Sequence, residues 1–325
     1  MGIKTFAKVG AIALSLAVSS AQAESLKEIY ELALQNDPIY KAAIANKKIG
    51  AEYDNLGLSA LLPQISLSGS YSDGSTNTQT GTAAKVESDT ESTTYNANLS
   101  QVIFDWSKFQ SYSGSKARTA ASVAQFGADQ QDLIVRVAQA YLEVLRAYEN
   151  LETASAEERA LQRRFEQVQQ RFDVGLIAIT DVHESRAAYD SSVARRLESE
   201  GNLGIAFEAL EVLSGRPHSE VLSLSDAFPV KGPEPSARGE WVNFAMANNL
   251  DLKVSEYNAK AAKASSNSAR AKHLPTVSGT ASYRDSDSDS ATGNAAAINT
   301  QTDGTSVGIS VSMPLFSGGS VSSQR

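Results

Sequence analysis

The sequence repeats itself, without a gap, at one constant offset in which position 62 corresponds to position 274. Leu62-Pro63 returns as Leu274-Pro275, and Ser70-Tyr71 returns as Ser282-Tyr283. Each copy has the pattern of a helix, a Leu-Pro pair, a strand, a polar loop and a second strand. A period this long is far beyond that of a solenoid and indicates that a whole structural unit was duplicated.

The second copy is shorter than the first. The first copy continues from Trp106 through a long helical region, whereas the second stops at Arg325, shortly after its second strand. We therefore expect the chain to be a C-terminally truncated fragment of a longer protein.

Residues 1–23 have the pattern of a secretory signal peptide. Lys4 and Lys8 supply the positive charge, residues 9–18 the apolar core, and Ala21-Gln22-Ala23 the cleavage site. The apolar core is much shorter than the roughly 20 residues of a spanning helix, which argues against a membrane anchor. We expect export, with Glu24 as the first residue of the mature chain.

Composition excludes several classes of function. The net charge is −8 at pH 7, and an acidic, exported chain is a poor candidate for binding nucleic acid. The sequence contains no cysteine, so neither disulfides nor thiolate metal sites can form. We expect no cofactor and no bound metal.

Four segments alternate between apolar or small residues at odd positions and mostly Ser, Thr or Asn at even positions. They are residues 65–71, 95–100, 277–283 and 307–313. Such alternation places one face of a strand against an apolar medium and the other against water. The pattern suits a water-filled membrane barrel whose strands need about ten residues each, with Tyr71, Tyr95 and Tyr283 in aromatic girdles at the strand ends. A soluble sandwich would alternate in the same way, but export favours the barrel.

Four strands are too few to close a membrane barrel, because known barrels begin at about eight strands. An open sheet would leave backbone amides and carbonyls unpaired in lipid along both edges. The strands must therefore be pooled between copies of the chain, which predicts a homo-oligomer in the outer-membrane lipid.

The segments that join each strand pair, residues 72–94 and 284–306, are polar and are expected to be solvated external loops. Asp285-Ser-Asp287-Ser-Asp289 resembles the start of a calcium loop. Ser290 stands where such a loop needs its turn glycine, and Ala296 stands where it needs a bidentate glutamate. A solvated acidic loop is therefore favoured over a calcium site.

Between the strand pairs, residues 107–172 contain no proline and carry apolar side chains at alternating steps of four and three residues. This spacing is typical of coiled-coil packing. A continuous helix of this length would measure about 100 Å, and the shorter helices predicted at 25–61 and 180–213 would lie beside it end to end. The charged residues Glu157, Glu158, Arg159, Arg163, Arg164 and Glu166 are expected to form a solvated face.

An enzyme is not supported by the histidines. His183-Glu184 begins a zinc-protease pattern, but Ala187 occupies the position of the second histidine. His218 and His273 lie near a break and a helix end with no clustered carboxylates, and neither a nucleophile elbow nor a phosphate loop is present. We expect no catalysis.

Residues 174–182, Val-Gly-Leu-Ile-Ala-Ile-Thr-Asp-Val, resemble the periplasmic hairpin tip of the TolC outer-membrane efflux family. Four further segments are similar to that family's junctions between helices and barrel: residues 61–64, 100–105, 273–276 and 314–319. The resemblance covers essentially all of residues 24–325.

The resemblance implies an α+β membrane protein built from a duplicated unit of long coiled-coil-like helices and β-hairpins. Each chain would contribute four strands to a trimeric β-barrel, with an α-helical tunnel in the periplasm below it. The implied function is a passive exit duct of a tripartite efflux pump or a type I secretion system. The implied partners are a periplasmic adaptor (membrane fusion) protein and an inner-membrane pump or ABC exporter.

For the hairpin tip, the resemblance implies that Val174, Gly175 and Leu176 contact the adaptor. It also implies that Thr180 and Asp181 belong to the linkages that hold the periplasmic mouth closed. Local alternatives stay open, because Gly175 could simply end a helix and Thr180 or Asp181 could simply cap the next one. The family's gate partners and constriction residues lie on a second hairpin that this sequence does not contain, so none is assigned.

The resulting domain plan has eight parts. They are a signal peptide (1–23), a first leading helix (24–61), a first β-hairpin (62–105), a long helical hairpin (106–213), a linker (214–239), a second leading helix (240–273), a second β-hairpin (274–317) and the start of a further helix (318–325). The alternative function is a trimeric coiled-coil interaction protein, such as an adhesin or an adaptor, without channel activity.

Overall fold

The structure, a computed structural model, describes residues 24–224, 232, 234–293 and 295–324. The predicted signal peptide and part of the predicted linker lie outside these residues. The chain forms two compact units. One contains the chain up to Lys41 together with Gln130–Gly232, and the other contains Ala42–Asp129 together with the chain from Pro233.

The described residues form seven helices and four strands in the following order. They are α1 (Leu26–Asn36), α2 (Pro38–Ser59), β1 (Gln64–Thr78), β2 (Val86–Phe104), α3 (Trp106–Asp173), α4 (Ile179–Ser214), α5 (Arg238–Asn248), α6 (Leu250–Ala271), β3 (Thr276–Thr292), β4 (Ile298–Ser312) and α7 (Ser320–Ser323). At the offset of the sequence repeat, α1 and α2 match α5 and α6 at both ends of each helix. Each described helix is too short or too polar to cross a bilayer.

The leading helix of each copy is two helices rather than one, which corrects the sequence prediction. Pro38 cannot continue α1, because it lacks an amide proton and restricts the residue before it. Asp37 has extended backbone there, and its carboxylate accepts the amides of Ile39 (3.3 Å) and Tyr40 (3.1 Å) to begin α2. At the equivalent position in the second copy, the Asn249 side chain accepts the amide of Leu252 (2.8 Å) and begins α6.

The four strands form one antiparallel sheet in the order β1-β2-β3-β4. They are 15, 19, 17 and 15 residues long, well beyond the ten predicted. The prediction of long external loops at 72–94 and 284–306 was therefore wrong, since only residues 79–85 and 293–297 join the paired strands. Serine and threonine are compatible with strands, and the backbone ladder continues through the polar sequence.

The unit that contains α1 and α4 has an apolar core. α1 packs against α4 and buries Ile29 and Ala33 completely. Other large side chains buried in this unit include Leu133, Val137, Tyr141 and Val144 of α3 and Leu210 of α4. This core fixes the base of the α3–α4 hairpin.

One ion pair is buried in the same unit. The Asp37 side chain is 1% exposed and lies 2.7 Å from Nη2 of Arg136, which also contacts Asp132. Burial raises the pKa of the Asp37 carboxyl, but the hydrogen bonds from Arg136 and from the amides of Tyr40 and Ile39 outweigh it, and the pKa lies below its ordinary value. The pair therefore ties the start of α2 to α3 through a charged carboxylate.

In the other unit, α2 and α3 approach each other closely at small residues. The hydroxyl of Thr119 donates to the carbonyl of Gly50 (2.9 Å), and a Cβ atom on Gly50 would lie 1.8 Å from Oγ of Ser122. One heptad further along α2, a Cβ on Gly57 would lie 2.6 Å from Ser115. Glycine is required at these positions because any side chain would push the two helices apart.

Replacing Gly50 by alanine is expected to destabilise the protein by about 1–3 kcal/mol, because the added methyl group overlaps Ser122. The matched control is Gly201→Ala in α4, where nothing lies within 4 Å of the new Cβ. It is expected to be neutral or to stabilise by about 0.5–1 kcal/mol. Guanidinium unfolding in detergent, followed by circular dichroism of the helices, measures both. Equal effects at the two glycines would contradict the close approach.

Replacing Asp37 by asparagine is expected to cost about 2–3 kcal/mol at neutral pH, because Arg136 loses its charge-assisted partner. The lowered pKa of Asp37 gives stability that is present above the carboxyl's unfolded pKa of about 3.9 and is lost as the pH falls through the folded pKa. The penalty of Asp37→Asn should therefore shrink below about pH 4. The same unfolding assay from pH 7 to pH 3 tests this, and a pH-independent penalty would count against it.

Candidate functional site

The α3–α4 hairpin ends in a tight turn that is closed by backbone hydrogen bonds. The amide of Gly175 donates to the carbonyl of Phe172 (2.8 Å), and the amide of Leu176 donates to the carbonyl of Arg171 (2.9 Å). Gly175 has φ of +78°, in the left-handed region that favours glycine. These are the two hydrogen bonds of a Schellman motif, so the local interpretation of Gly175 as a helix-ending residue is confirmed.

The turn presents two apolar side chains to solvent. Val174 is 71% exposed and Leu176 is 69% exposed. Val174 also borders a shallow hollow together with Gln167, Gln170 and Arg171. Apolar side chains held outward by a rigid turn can bind a partner with little loss of conformational entropy.

Thr180 and Asp181 lie in the first turn of α4, and neither is the residue that caps it. The cap position is Ala178, which makes no side-chain hydrogen bond. The capping alternative is therefore wrong for both residues. Both side chains are exposed, and within the described part of the chain neither makes a side-chain hydrogen bond or ion pair. Asp181 still interacts favourably with the positive end of the α4 dipole.

Away from the tip, ion pairs hold the two helices of the hairpin together. Arg195 lies 2.6 Å from Glu157, and Arg196 lies 2.5 Å from Glu158. The hydrogen bond to Glu158 raises the pKa of Arg196. The predicted solvated charged face is confirmed for Glu157, which is 47% exposed, and this face also carries the ion pairs to α4.

His218 does have a carboxylate beside it, contrary to the sequence prediction. Its Nδ1 contacts the carboxylate of Glu24, which also binds Arg216, and its Nε2 lies 2.5 Å from Oγ of Ser214. A parallel bridge between Glu24 and Val221 brings these distant segments together. Ser214 is fully buried, so no substrate can reach its hydroxyl. The cluster therefore fixes the start of α1 to the end of α4.

The sheet has two chemically different faces. On the odd-numbered face, the aliphatic residues are strongly exposed, as Leu67 and Val307 (82% each) and Ile65 and Ile309 (73% each) illustrate. On the even-numbered face, hydroxyl groups pair across the strands, with Ser278 2.8 Å from Ser310 and Ser282 2.7 Å from Ser306. An exposed apolar face opposite a hydroxyl-lined face is the surface pattern of a membrane barrel wall.

The exposed aliphatic residues of the odd-numbered face form an apolar band, and the acidic residues of the same face begin where this band ends. Asp285, Asp287 and Asp289 lie in β3 on the odd-numbered face, so the prediction that they sit in a loop was wrong. Asp303 of β4 lies directly opposite Asp285. From Val311 to Asp303 the apolar band is about 20 Å high for strands tilted by about 40°, which is close to the roughly 25 Å of the hydrocarbon-facing band of outer-membrane barrels.

The three tyrosines predicted at strand ends lie inside the strands instead. Tyr71, Tyr95 and Tyr283 occupy successive rows of the sheet at the upper border of the apolar band. All three are at least 46% exposed. Their place at the border, rather than at the strand ends, agrees with an aromatic girdle at a membrane interface.

Comparisons with known proteins point to one family. The family model described as "outer membrane efflux protein" matches residues 29–216 and 241–325. The chain is 33% identical over 313 residues to the outer membrane protein TolC of Vibrio cholerae, covering 96% of this chain and 69% of that protein. It is 33% identical over 313 residues to the alkaline protease secretion protein AprF of Pseudomonas aeruginosa, covering 94% of this chain and 64% of that protein.

A solved structure shares the fold. The Campylobacter jejuni CmeC outer membrane channel superposes with a TM-score of 0.71 at 20% identity, covering 92% of this chain and 63% of that chain. The chain thus spans about two thirds of the length of the curated relatives that it matches.

Proposed function

Because the chain belongs to the outer membrane efflux protein family, we propose that three copies of it form an exit duct across the outer membrane. The duct would serve a tripartite efflux pump or a type I secretion system as a passive conduit. The observation that carries this proposal is the four-stranded sheet, which has an exposed apolar face, a hydroxyl-lined face and two free edges. The family model is described by efflux, which supports the first form, and one relative is named for alkaline protease secretion, which supports the second.

The internal repeat predicts how neighbouring copies pair. Within the chain, β2 pairs with β3 so that Asn98 lies opposite Ser282. At the offset of the repeat, Asn98 corresponds to Ser310 and Ser282 corresponds to Ser70. If the barrel keeps one register throughout, Ser310 of one copy lies opposite Ser70 of the next.

At the periplasmic end, Val174, Gly175 and Leu176 would dock a periplasmic adaptor protein, which in turn engages an inner-membrane pump or ABC exporter. The two outward apolar side chains and the rigid turn between them support this role. Thr180 and Asp181 would take part in closing the periplasmic mouth. Their exposure and their lack of partners in the described part of the chain leave both free to bond to another helix.

The native protein, extracted from outer membranes and added to a planar lipid bilayer, is expected to produce stepwise ion conductance. Each step would report one inserted oligomer. Protein that inserts into the bilayer without any conductance would contradict the duct and would favour the alternative, an interaction protein without a channel.

Replacing Leu176 by aspartate is expected to abolish export while leaving folding unchanged, because the side chain is 69% exposed. Dye resistance of the source bacterium measures export, and the amount of oligomer in outer membranes measures folding. The control is Ile205→Asp, which changes an equally exposed apolar residue of α4 (68%) away from the tip. Wild-type export by Leu176→Asp, or equal loss in both variants, would contradict docking at the tip.

A further inference from the structure

The charged residues of the sheet are divided between its two faces. All eight carboxylates of the four strands lie at odd positions, on the face that carries the apolar band. They are Asp73, Glu87, Asp89, Glu91, Asp285, Asp287, Asp289 and Asp303. The strands contain one basic residue, Arg284, and it lies at an even position among the hydroxyl groups.

Arg284 has uncharged cross-strand neighbours. It lies directly opposite Asn96 on β2 and Gly304 on β4. Gly304 has no side chain, and nothing lies within 4 Å of where its Cβ would be. No ion pair to Arg284 is present within the described residues. Its guanidinium is therefore a positive charge with no paired carboxylate in the described part of the chain.

The height of Arg284 in the sheet is also defined. It stands between Tyr283, at the top of the apolar band, and Asp285, the first carboxylate above the band. On the opposite face of the wall, lipid would therefore end at this level. Arg284 consequently lies level with the outer membrane interface and midway along β3, with eight further residues of the strand above it.

We propose that Arg284 forms a cationic ring inside the barrel, level with the outer membrane interface, and makes this stretch of the lumen favour anions over cations. The inference rests on the proposed oligomeric duct, in which the even-numbered face lines the lumen. The cargo class that this ring would favour at the exit is acidic or anionic molecules. Rings of arginine or lysine are a known means of selecting anions in pores.

The dimensions make such a ring effective. Three four-stranded sheets give twelve strands, and at about 4.8 Å spacing and about 40° tilt they enclose a backbone cylinder of about 12 Å radius. An arginine side chain reaches about half of that radius. Any ion that passes the level of Arg284 would then come within about 10 Å of all three guanidinium groups, which is about one Debye length at 0.1 M salt.

The carboxylates act mainly outside the lumen. They project from the other face of the wall into the water and headgroups around the barrel, where salt screens charges separated by more than about 10 Å. At the even positions of the strands, Arg284 is the single charged residue. The arginine ring is therefore the nearest fixed charge to an ion that passes this level of the lumen.

The test is the reversal potential of the native protein and its variants in planar bilayers under a gradient of dilute potassium chloride. Arg284→Gln should raise the ratio of potassium to chloride permeability by roughly threefold or more. Arg284→Lys keeps the charge and should keep the native ratio. In about 1 M salt, where the Debye length is about 3 Å, the difference between native protein and Arg284→Gln should disappear.

The matched control is Asp285→Asn, which removes a charge from the adjacent residue on the opposite face and should leave the ratio nearly unchanged. An unchanged ratio in Arg284→Gln would overturn the proposal, and so would an equal change in Asp285→Asn. Either result leaves the duct itself intact, because the channel still conducts. Absence of conductance in the native protein would instead contradict the duct and, with it, the arginine ring.

Discussion

A sheet edge cannot be left unpaired in hydrocarbon, because each exposed amide or carbonyl there loses its hydrogen bonds to water without replacement. The chain has two such edges, β1 and β4, on a sheet whose aliphatic face is exposed. As an outer-membrane protein, it can satisfy these edges only by pairing them with those of other copies. The proposed oligomer, its lumen and the cationic ring all depend on this one requirement.

The helices have a different role, which is to hold the strands and the hairpin tip in fixed positions. In one unit, glycine and serine let α2 and α3 approach closely beside the sheet. In the other, the Asp37–Arg136 pair and the Glu24–His218–Ser214 cluster join the start of α1 and α2 to α3 and α4. The contacts in the first unit hold the helices that lead to the sheet, and those in the second hold the base of the hairpin that ends in the tip.

The sequence predicted the strands, the long helix and the hairpin tip, because each depends on local periodicity or on a short motif. It failed where a local signal was overlooked or where contacts join distant residues. The break at Pro38 was visible in the sequence but was outweighed by the helical pattern on both sides. The strand positions of Asp285 and Asp287 were missed because acidic, serine-rich sequence is typical of loops, and only pairing with β2 and β4 makes it a strand. The contact between Glu24 and His218 joins segments before α1 and after α4 and has no local signal.

The most direct test of the account is whether β1 of one copy pairs with β4 of the next. The sequence contains no cysteine, so in a Ser70→Cys/Ser310→Cys variant every disulfide joins introduced thiols. Oxidation of the protein in outer membranes should give covalent dimers and trimers on a denaturing gel, and either single variant should not give trimers. Ser70→Cys/Val311→Cys, which places the second thiol on the opposite face, should cross-link poorly. If the Ser70→Cys/Ser310→Cys variant stays monomeric while the protein is folded in the membrane, the pooled barrel is wrong.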